Sequence, residues 1–300
     1  MNFYGFFIAL GVLVGTLVAE NFRTKQPATS NQHPAVSAFD ILLWVIIPGV
    51  IGARIYHVLD YWQYYNGDLL KIFYVWEGGL GIYGGIIGGV VGLYLFTKIK
   101  SASWRKKSKI SYTNYFLLYL DLASIALPIG QAIGRWGNFF NQELYGLPTN
   151  LPWGIYIRPE NRLPGYESFS RYHPLFLYES LGCLIIFFII LKKIKLNINN
   201  KNAKLPQTRI NSVRGWQIKK QKNYKNGDLF FLYLFLYSFL RFWLEFLRIE
   251  SWQVRLPLTI NSIRVNQLAA TLAILVSGWF LFKEVKIKTH TFKKRKISIE

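Results

Sequence analysis

The chain has 300 residues, is 52% hydrophobic and 17% aromatic, and carries a formal net charge of +21. A soluble protein this basic typically binds nucleic acid, but here the basic and apolar residues occupy separate segments. Membrane topology explains that segregation, so we expect no nucleic-acid partner. The single cysteine, Cys183, lies in an apolar segment and excludes a disulfide within the chain. We interpret it as a small buried hydrophobe.

Seven apolar segments are long enough to cross a hydrocarbon layer of ~30 Å. They predict an all-α integral membrane protein, with residues 1–300 forming a single polytopic domain. The first segment lacks a basic leader and a clear cleavage site, so we expect a retained helix rather than a signal peptide. The spans are expected near residues 3–19, 39–59, 78–96, 116–133, 175–191, 229–247 and 265–282.

The basic residues indicate the orientation of these spans. Of the 36 lysine and arginine residues, 26 follow the first, third, fifth and seventh spans. Basic loops stay in the cytoplasm, which places the N-terminus outside, the C-terminus inside and residues 144–174 in an extracytoplasmic cap. Residues 197–226 are expected to form a flexible basic cytoplasmic loop with no catalytic role, and residues 283–300 a basic tail that could touch anionic lipid.

The first two spans each contain one candidate site residue. Tyr4 lies at the expected outer interface, either as an aromatic-belt residue or as part of a site. Arg54 lies inside the second span, where an unpaired charge costs at least ~2.5 kcal/mol. Either Arg54 has a partner there, or its side chain snorkels towards water.

The third span is rich in glycine, and Tyr83 is the only large polar side chain in its glycine-lined stretch. Two rows of glycines recur at every fourth residue, so both sides of this helix are expected to approach neighbours closely, at a central place in the bundle. Tyr83 would either hydrogen-bond a neighbour or face a cavity. The two rows are Gly81, Gly85 and Gly89, and Gly84, Gly88 and Gly92.

Residues Gly130–Gly146, with the sequence GQAIGRWGNFFNQELYG, end the fourth span with several polar side chains. If the helix continues through Gln142, then Gln131, Arg135, Asn138 and Gln142 share one face. Such a face is a row of donors that could close on an anion. Arginine suits phosphate because its planar fork donates two parallel hydrogen bonds.

The cap segment has many prolines and glycines, which favour an irregular structure with short strands. It ends at His173 and Pro174, just before Glu179 in the fifth span. A carboxylate at this depth needs a partner, and His173, Arg171 or Arg135 could supply it.

The sixth span contains a polar stripe in an otherwise aromatic helix. Tyr237, Arg241, Glu245 and Arg248 share a helix face. Glu245 can neutralise one arginine, and the remaining positive charge suits an anionic ligand. A structural ladder of ion pairs is the alternative.

Taken together, these residues resemble the bacterial prolipoprotein diacylglyceryl transferase family. The family signature looks like residues 134–146, GRWGNFFNQELYG, and this block is specific. Weaker blocks match in the same order, and the resemblance omits only the basic 197–226 loop and the tail. These blocks are Gly52 to Arg54, Gly78 to Gly85, His173 to Glu179, and Tyr237 to Arg248.

The resemblance implies seven transmembrane helices in the bacterial plasma (inner) membrane and a site open to the outer leaflet. It also implies transfer of the diacylglyceryl group of phosphatidylglycerol to the lipobox cysteine of a preprolipoprotein signal peptide, with release of glycerol phosphate. The substrate's own thiol is the nucleophile, so we expect no cofactor and no metal. The expected partners are these two substrates and membrane lipids.

Candidate roles follow from the resemblance and from the chemistry of each side chain. Arg135 and Arg241 would hold the phosphate, Asn138 would orient the head group, and Glu143 and Glu245 would position the arginines. Where this chain has Tyr83, some family members carry a histidine that is proposed to act as the catalytic base. Tyrosine has a reference pKa of ~10 and is therefore a poor base at neutral pH. The candidate catalytic residues are Arg241, Tyr237 and Tyr83, and the candidate phosphatidylglycerol-binding residues are Arg135, Asn138, Glu143, Tyr4, Arg54, Glu245 and His173.

Two other classes of function remain open at the level of sequence. A transporter or flippase for an anionic lipid would use the same arginines, but the chain shows no internal repeat and its polar residues cluster in the outer half. A structural or assembly protein would leave the intramembrane Arg54 and Arg241 unexplained.

Overall fold

The computed structural model of the protein describes residues 3–25, 36–104, 112–202, 225–249, 253–255 and 262–297. Within these ranges the fold is helical, and seven helices are long and apolar enough to cross a membrane, as predicted. The long helices are α1 (Phe3–Lys25), α2 (Ala38–Asp60), α4 (Ile82–Trp104), α5 (Tyr112–Asn141), α6 (Leu175–Asn202), α7 (Asp228–Leu244) and α8 (Val265–Ile297), and the short helix α3 is Trp62–Tyr65.

Short elements connect these helices. Strands β1 (Ile155–Tyr156) and β2 (Arg171–Tyr172) pair antiparallel within the cap segment, as its composition suggested. Strands β3 (Gln253–Arg255) and β4 (Ser262–Arg264) form a second antiparallel pair between α7 and α8. In the described part of the chain, four 3₁₀ turns cover Leu69–Phe73, Val75–Glu77, Pro159–Asn161 and Glu245–Leu247.

The chain divides into two compact units. The first unit contains Met1–Gly15 and Ala123–Glu300, and the second contains Thr16–Leu122. In the first unit, α1 lies close to α5, because a methyl group on Gly11 would fall 2.5 Å from the carbonyl oxygen of Gly130. Helix α7 packs against both α6 and α8. The signature stretch and the sixth-span stripe both belong to this first unit.

In the second unit, α2 and α4 pack along their length. Both glycine rows of α4 face α2, so the prediction that the rows let both sides of this helix approach neighbours closely is wrong within the described residues. A side chain would not fit at Gly84, Gly88 or Gly92, because an added methyl group would fall 2.0 to 2.2 Å from a carbonyl oxygen of α2. At Gly85 and Gly89 it would meet side chains of α2 at 3.6 and 3.3 Å. The contacts pair Gly84 with Gly52, Gly88 with Pro48, Gly92 with Trp44, Gly85 with Ala53, and Gly89 with Val45.

Several predicted boundaries differ from the structure. Gly78 and Gly79 adopt φ angles of +93° and +71°, so the third span begins at Ile82 rather than at residue 78. Helix α6 continues to Asn202, into the predicted flexible 197–226 loop, of which residues 203–224 lie outside the described ranges. Helix α8 continues to Ile297, through most of the predicted 283–300 tail. No glycine or proline follows Gly278, and lysine is a good helix former.

Candidate active site

The carboxylate of Glu179 links three side chains from two other helices. Its Oε1 accepts a hydrogen bond from the hydroxyl of Tyr237 at 2.8 Å and lies 3.0 Å from Nη2 of Arg135. Its Oε2 accepts from Nη1 of Arg241 at 3.0 Å. Each carboxylate oxygen is therefore paired with a different guanidinium, which fixes both arginines against one point.

Burial differs sharply between the carboxylate and its partners. The side chain of Glu179 is 4% exposed, whereas those of Arg135 and Arg241 are 24% and 23% exposed. Glu179 thus lies behind the arginines, which keep an open side. Of the three partners proposed for this carboxylate, Arg135 is confirmed, and Arg241 was not among them. We call Arg135, Glu179, Tyr237 and Arg241 the arginine site.

Helix α5 supplies Arg135 together with the residues that follow it. Nη1 of Arg135 donates to Oδ1 of the buried Asn138 at 3.2 Å, and Nδ2 of Asn138 donates to Oε1 of Glu143 at 2.9 Å. Glu143 therefore acts on Arg135 through Asn138. It lies beyond the end of the helix, where its backbone N–H donates to the Asn138 carbonyl at 3.0 Å.

The predicted four-residue face of α5 is only partly formed. Helix α5 ends at Asn141, and Gln142 adopts a φ angle of +54°, so Gln142 leaves that face. Its side-chain oxygen instead accepts hydrogen bonds from the cap, from Arg158 N at 3.0 Å and Asn161 Nδ2 at 3.1 Å. The prediction was wrong here because left-handed residues just after α5, Gln142 and Leu144, redirect the chain.

Glu245 forms a second buried carboxylate centre at the end of α7. Its side chain is 1% exposed and lies 3.5 Å from Nη2 of Arg241 and 3.8 Å from Nη1 of Arg248. Its Oε1 accepts from Nδ2 of Asn266 at 3.0 Å, and Arg264 donates to its backbone carbonyl. Sequence reasoning missed Asn266 and Arg264, because the first turn of a span that follows a hairpin carries no pattern that links it to α7.

Positive charge exceeds negative charge along these two centres. Three guanidinium groups, those of Arg135, Arg241 and Arg248, share the carboxylates of Glu179 and Glu245. Burial, followed by the proximity of Arg241, lowers the pKa of Arg248. An anion placed beside these groups would relieve that repulsion. The arrangement is therefore suited to binding a phosphate.

His173 belongs to a different small network in the cap. Its Nδ1 lies 3.1 Å from the hydroxyl of Tyr178, which accepts a hydrogen bond from Nε1 of Trp153 at 2.7 Å. The backbone of His173 is held by Gly146, whose N–H donates to the His173 carbonyl at 2.9 Å. His173 thus contacts the residue that precedes Glu179 in sequence.

Tyr4 lies at the start of α1 against the signature helix. A methyl group on Gly137 would fall 3.0 Å from the Tyr4 ring, so this glycine is what admits the tyrosine. The Tyr4 side chain remains more than one third exposed. Tyr4 therefore packs against the residue that precedes Asn138, and its exposed side has room for a ligand.

Arg54 and Tyr83 lie in the second unit. Arg54 is buried, and its guanidinium donates five hydrogen bonds to backbone carbonyls, which uses all of its N–H groups. The ring centroid of Tyr83 is 6.1 Å from that of Tyr56. The acceptors of Arg54 are the carbonyls of Lys71, Ile72, Tyr74, Gly78 and Gly79.

The fold and site define a multi-pass membrane protein in which guanidinium groups from two helices converge beside a buried carboxylate. Among the described side chains, no three His, Cys, Asp or Glu residues are placed to hold a metal ion. The sequence model of the family described as prolipoprotein diacylglyceryl transferase matches residues 1–283. The chain belongs to this family.

Curated relatives agree with that assignment, and each is named phosphatidylglycerol–prolipoprotein diacylglyceryl transferase. The relative from Thermotoga maritima is 36% identical over 279 residues, which cover 92% of this chain and 78% of the relative. The relative from Finegoldia magna is 35% identical over 290 residues, covering 97% and 92%. The relative from Fervidobacterium nodosum is 34% identical over 283 residues, covering 94% and 81%.

Proposed function

We propose that this protein transfers the diacylglyceryl group of phosphatidylglycerol to the lipobox cysteine thiol of preprolipoproteins and releases glycerol phosphate. The observation that carries the proposal is the pairing of Arg135 and Arg241, from two helices, with the single buried carboxylate of Glu179. The names of the curated relatives supply the two substrates. The chemistry of the site fits a phosphate ester as the leaving group.

The reaction exchanges one bond at a glycerol carbon for another. The thiolate sulfur attacks the carbon that carries the phosphate ester, a carbon–sulfur bond forms and the carbon–oxygen bond breaks. The electron pair of the broken bond remains on the phosphate oxygen, so the leaving glycerol phosphate gains negative charge. Groups that stabilise this additional charge lower the barrier.

Arg135 and Arg241 are placed to stabilise that charge. Each guanidinium has five N–H donors, and the contacts with Glu179, Asn138 and Glu245 use only some of them. The buried Glu179 holds the two groups from behind, so they need little reorganisation when the phosphate binds on the open side. Asn138, held by Glu143, would orient the glycerol head group from the same end of α5.

The remaining candidates concern the thiol and its proton. Tyr237, bound to Glu179, and Tyr4 would contact the phosphate or the incoming thiol. A thiol has a reference pKa of ~8.5, so nearby arginines favour its thiolate form. The thiol would lose its proton under the influence of these arginines or to His173. Tyr83 would orient the substrate as a neutral hydroxyl group.

The orientation of the chain follows from its charge distribution. We place the N-terminus outside and the C-terminus in the cytoplasm, because the basic loops alternate with the other loops. The arginine site then opens to the outer leaflet of the bacterial inner membrane, and residues 144–174 form an extracytoplasmic cap. Both substrates would enter laterally, since both reside in the membrane.

The test is to incubate the purified protein with phosphatidylglycerol and a lipobox peptide and to analyse the peptide by mass spectrometry. We expect the mass increase of a diacylglycerol thioether, and its absence when the peptide cysteine is replaced by serine. Arg171→Gln, which removes an exposed cap arginine, should retain transfer, whereas Arg135→Gln should not. Movement of labelled lipid between leaflets without thioether formation would instead support the flippase.

A further inference from the structure

A second polar layer lies one helical turn deeper than the arginine site. Each of its three residues lies four positions from a member of the arginine site on the same helix. The pairs are Gln131 with Arg135, Cys183 with Glu179, and Tyr233 with Tyr237. One turn corresponds to ~5.4 Å along a helix. Gln131 lies farther than Arg135 from the end of α5, Cys183 farther than Glu179 from the start of α6, and Tyr233 farther than Tyr237 from the end of α7. This layer therefore lies on the side of the arginine site away from these helix ends. We call it the Gln131 layer.

The oxygen of the Gln131 side chain is occupied within this layer. Its Oε1 accepts a hydrogen bond from the hydroxyl of Tyr233 at 3.0 Å, and Sγ of Cys183 lies 3.8 Å from the same atom. Tyr233 and Cys183 are both buried. The ring of Tyr233 stacks on that of Tyr237, with centroids 5.7 Å apart and planes at 12°. The layer is therefore coupled directly to the arginine site.

The amide nitrogen of Gln131 is left as a donor. Among the described residues no acceptor lies within hydrogen-bond distance of Nε2, although the hydroxyl of Tyr233 fixes the amide group from its other end. The side chain is only partly buried, and this nitrogen is not enclosed. An amide N–H without an acceptor is unfavourable in a hydrocarbon environment. A ligand that brings an acceptor to this depth would remove that penalty.

Building on the proposed function, we propose that Nε2 of Gln131 donates a hydrogen bond to an acyl ester carbonyl of the lipid substrate. In a diacyl phospholipid the ester carbonyls lie a few bonds to the hydrocarbon side of the phosphate. A phosphate held by Arg135 and Arg241 would therefore bring these carbonyls towards the Gln131 layer. Gln131 is then a specificity residue that distinguishes ester-linked from ether-linked lipids.

The experiment compares phosphatidylglycerol with its dialkyl ether analogue, which keeps the phosphate and head group but has no carbonyl. Transfer to a lipobox peptide is measured with both lipids, for the full-length wild type and for Gln131→Leu. We expect kcat/KM of the wild type to fall about two- to tenfold with the ether lipid, the kinetic equivalent of one neutral hydrogen bond. Gln131→Leu should show a similar fall with the ester lipid and no further loss with the ether lipid.

Two further variants separate this role from a general effect on folding. Tyr233→Phe keeps the ring stacked on Tyr237 but releases the Gln131 amide, so it should reduce the ester-to-ether ratio in part. Cys183→Ala should keep the wild-type ratio, because the Cys183 thiol contacts Oε1 of Gln131, the atom that is already bound by Tyr233, and not the amide nitrogen. Equal use of both lipids by the wild type, or an unchanged ratio in Gln131→Leu, would overturn the inference. Absence of any thioether with wild type and ester lipid would instead refute the proposed function.

Discussion

Arg135 and Arg241, which are separated by more than one hundred residues, contact different oxygens of the same carboxylate, each at 3.0 Å. Two guanidinium groups that both lie this close to one carboxylate would repel one another if Glu179 were not between them. Because the carboxylate is enclosed and the arginines are partly open, the cluster is a preformed receptor for a second anion.

Replacing Arg135 should abolish transfer. Arg135→Ala removes one half of the phosphate clamp, while the protein should still insert and accumulate. Arg135→Lys should also be badly impaired, because an ammonium group cannot contact Glu179, Asn138 and a phosphate through one planar fork. Thioether formation measures both effects, with Arg171→Lys as the matched control. Near-normal transfer by the lysine variant would contradict the bidentate role.

Replacing Glu179 with glutamine should reduce transfer at least about 30-fold, which corresponds to ~2 kcal/mol. The variant keeps the shape of the side chain but leaves two guanidinium groups without their shared countercharge. Breaking a buried ion pair can cost ~3–5 kcal/mol of stability, and we expect less here because the arginines are about one quarter exposed. Thermal unfolding in detergent measures this loss of stability.

Two other carboxylates provide comparisons for Glu179→Gln. Glu143→Gln should be milder, since glutamine can still accept from Asn138. Glu160→Gln, on the exposed cap, should match the wild type. If Glu179→Gln were as active and as stable as Glu160→Gln, the arginines would not depend on Glu179.

Arg54 is expected to act on the backbone of the 71–79 segment. Lysine has three donors where arginine has five, so Arg54→Lys should leave some of the five carbonyls without a donor. We expect a loss of at least ~1.5 kcal/mol of stability and faster proteolysis within residues 66–81. Lys71→Gln, which changes a cation in the same segment but keeps its carbonyl, is the control.

The opposite outcome for Arg54 is equally informative. A folded, protease-resistant Arg54→Lys variant with a raised KM for phosphatidylglycerol would show that Arg54 binds the lipid, as the sequence suggested. An unchanged KM together with faster proteolysis would show that Arg54 stabilises the 71–79 segment.

Tyr83 is expected to orient the substrate without acting as a base. Tyr83→Phe should therefore keep measurable transfer, because the ring contact near Tyr56 is retained. Tyr83→Ala should lose much more. The measurement is the rate of thioether formation at saturating lipid, with folding checked by size-exclusion chromatography. A phenylalanine variant as inactive as Arg135→Ala, with its fold intact, would show that the hydroxyl group takes part directly.

The basic segment that follows α6 is expected to be dispensable. Replacing residues 203–224 with a short flexible linker that carries a few lysines should retain topology and transfer, since in the orientation that we propose the arginine site opens on the other side of the membrane. Reporter fusions at both termini measure topology, and the peptide assay measures transfer. Loss of transfer by a folded variant would place a cytoplasmic element in the reaction.

The sequence by itself determined the seven spans, the family and most residues of the arginine site. Span length and hydropathy are properties of contiguous residues, and a charge within a span is informative because burying it is unfavourable. The same reasoning correctly required a partner for Glu179. For Arg54 it left snorkelling towards water as the alternative, and the structure shows the partnered arrangement. It placed Arg135, Asn138, Tyr237, Arg241 and Glu245 near a common centre, and in the structure they share one network.

Only the tertiary structure decided which groups satisfy which charges. Glu179 meets Arg241 because α6 and α7 dock side by side, and no spacing within either helix encodes that contact. Arg54 is satisfied by backbone carbonyls, which every residue possesses and which a sequence therefore cannot distinguish. The left-handed Gln142 turned the chain away from the α5 face, and the pairing of Gln131 with Tyr233 uses the amide oxygen and leaves the amide nitrogen as a donor. These outcomes depend on how separate helices meet in space, which local periodicity does not specify.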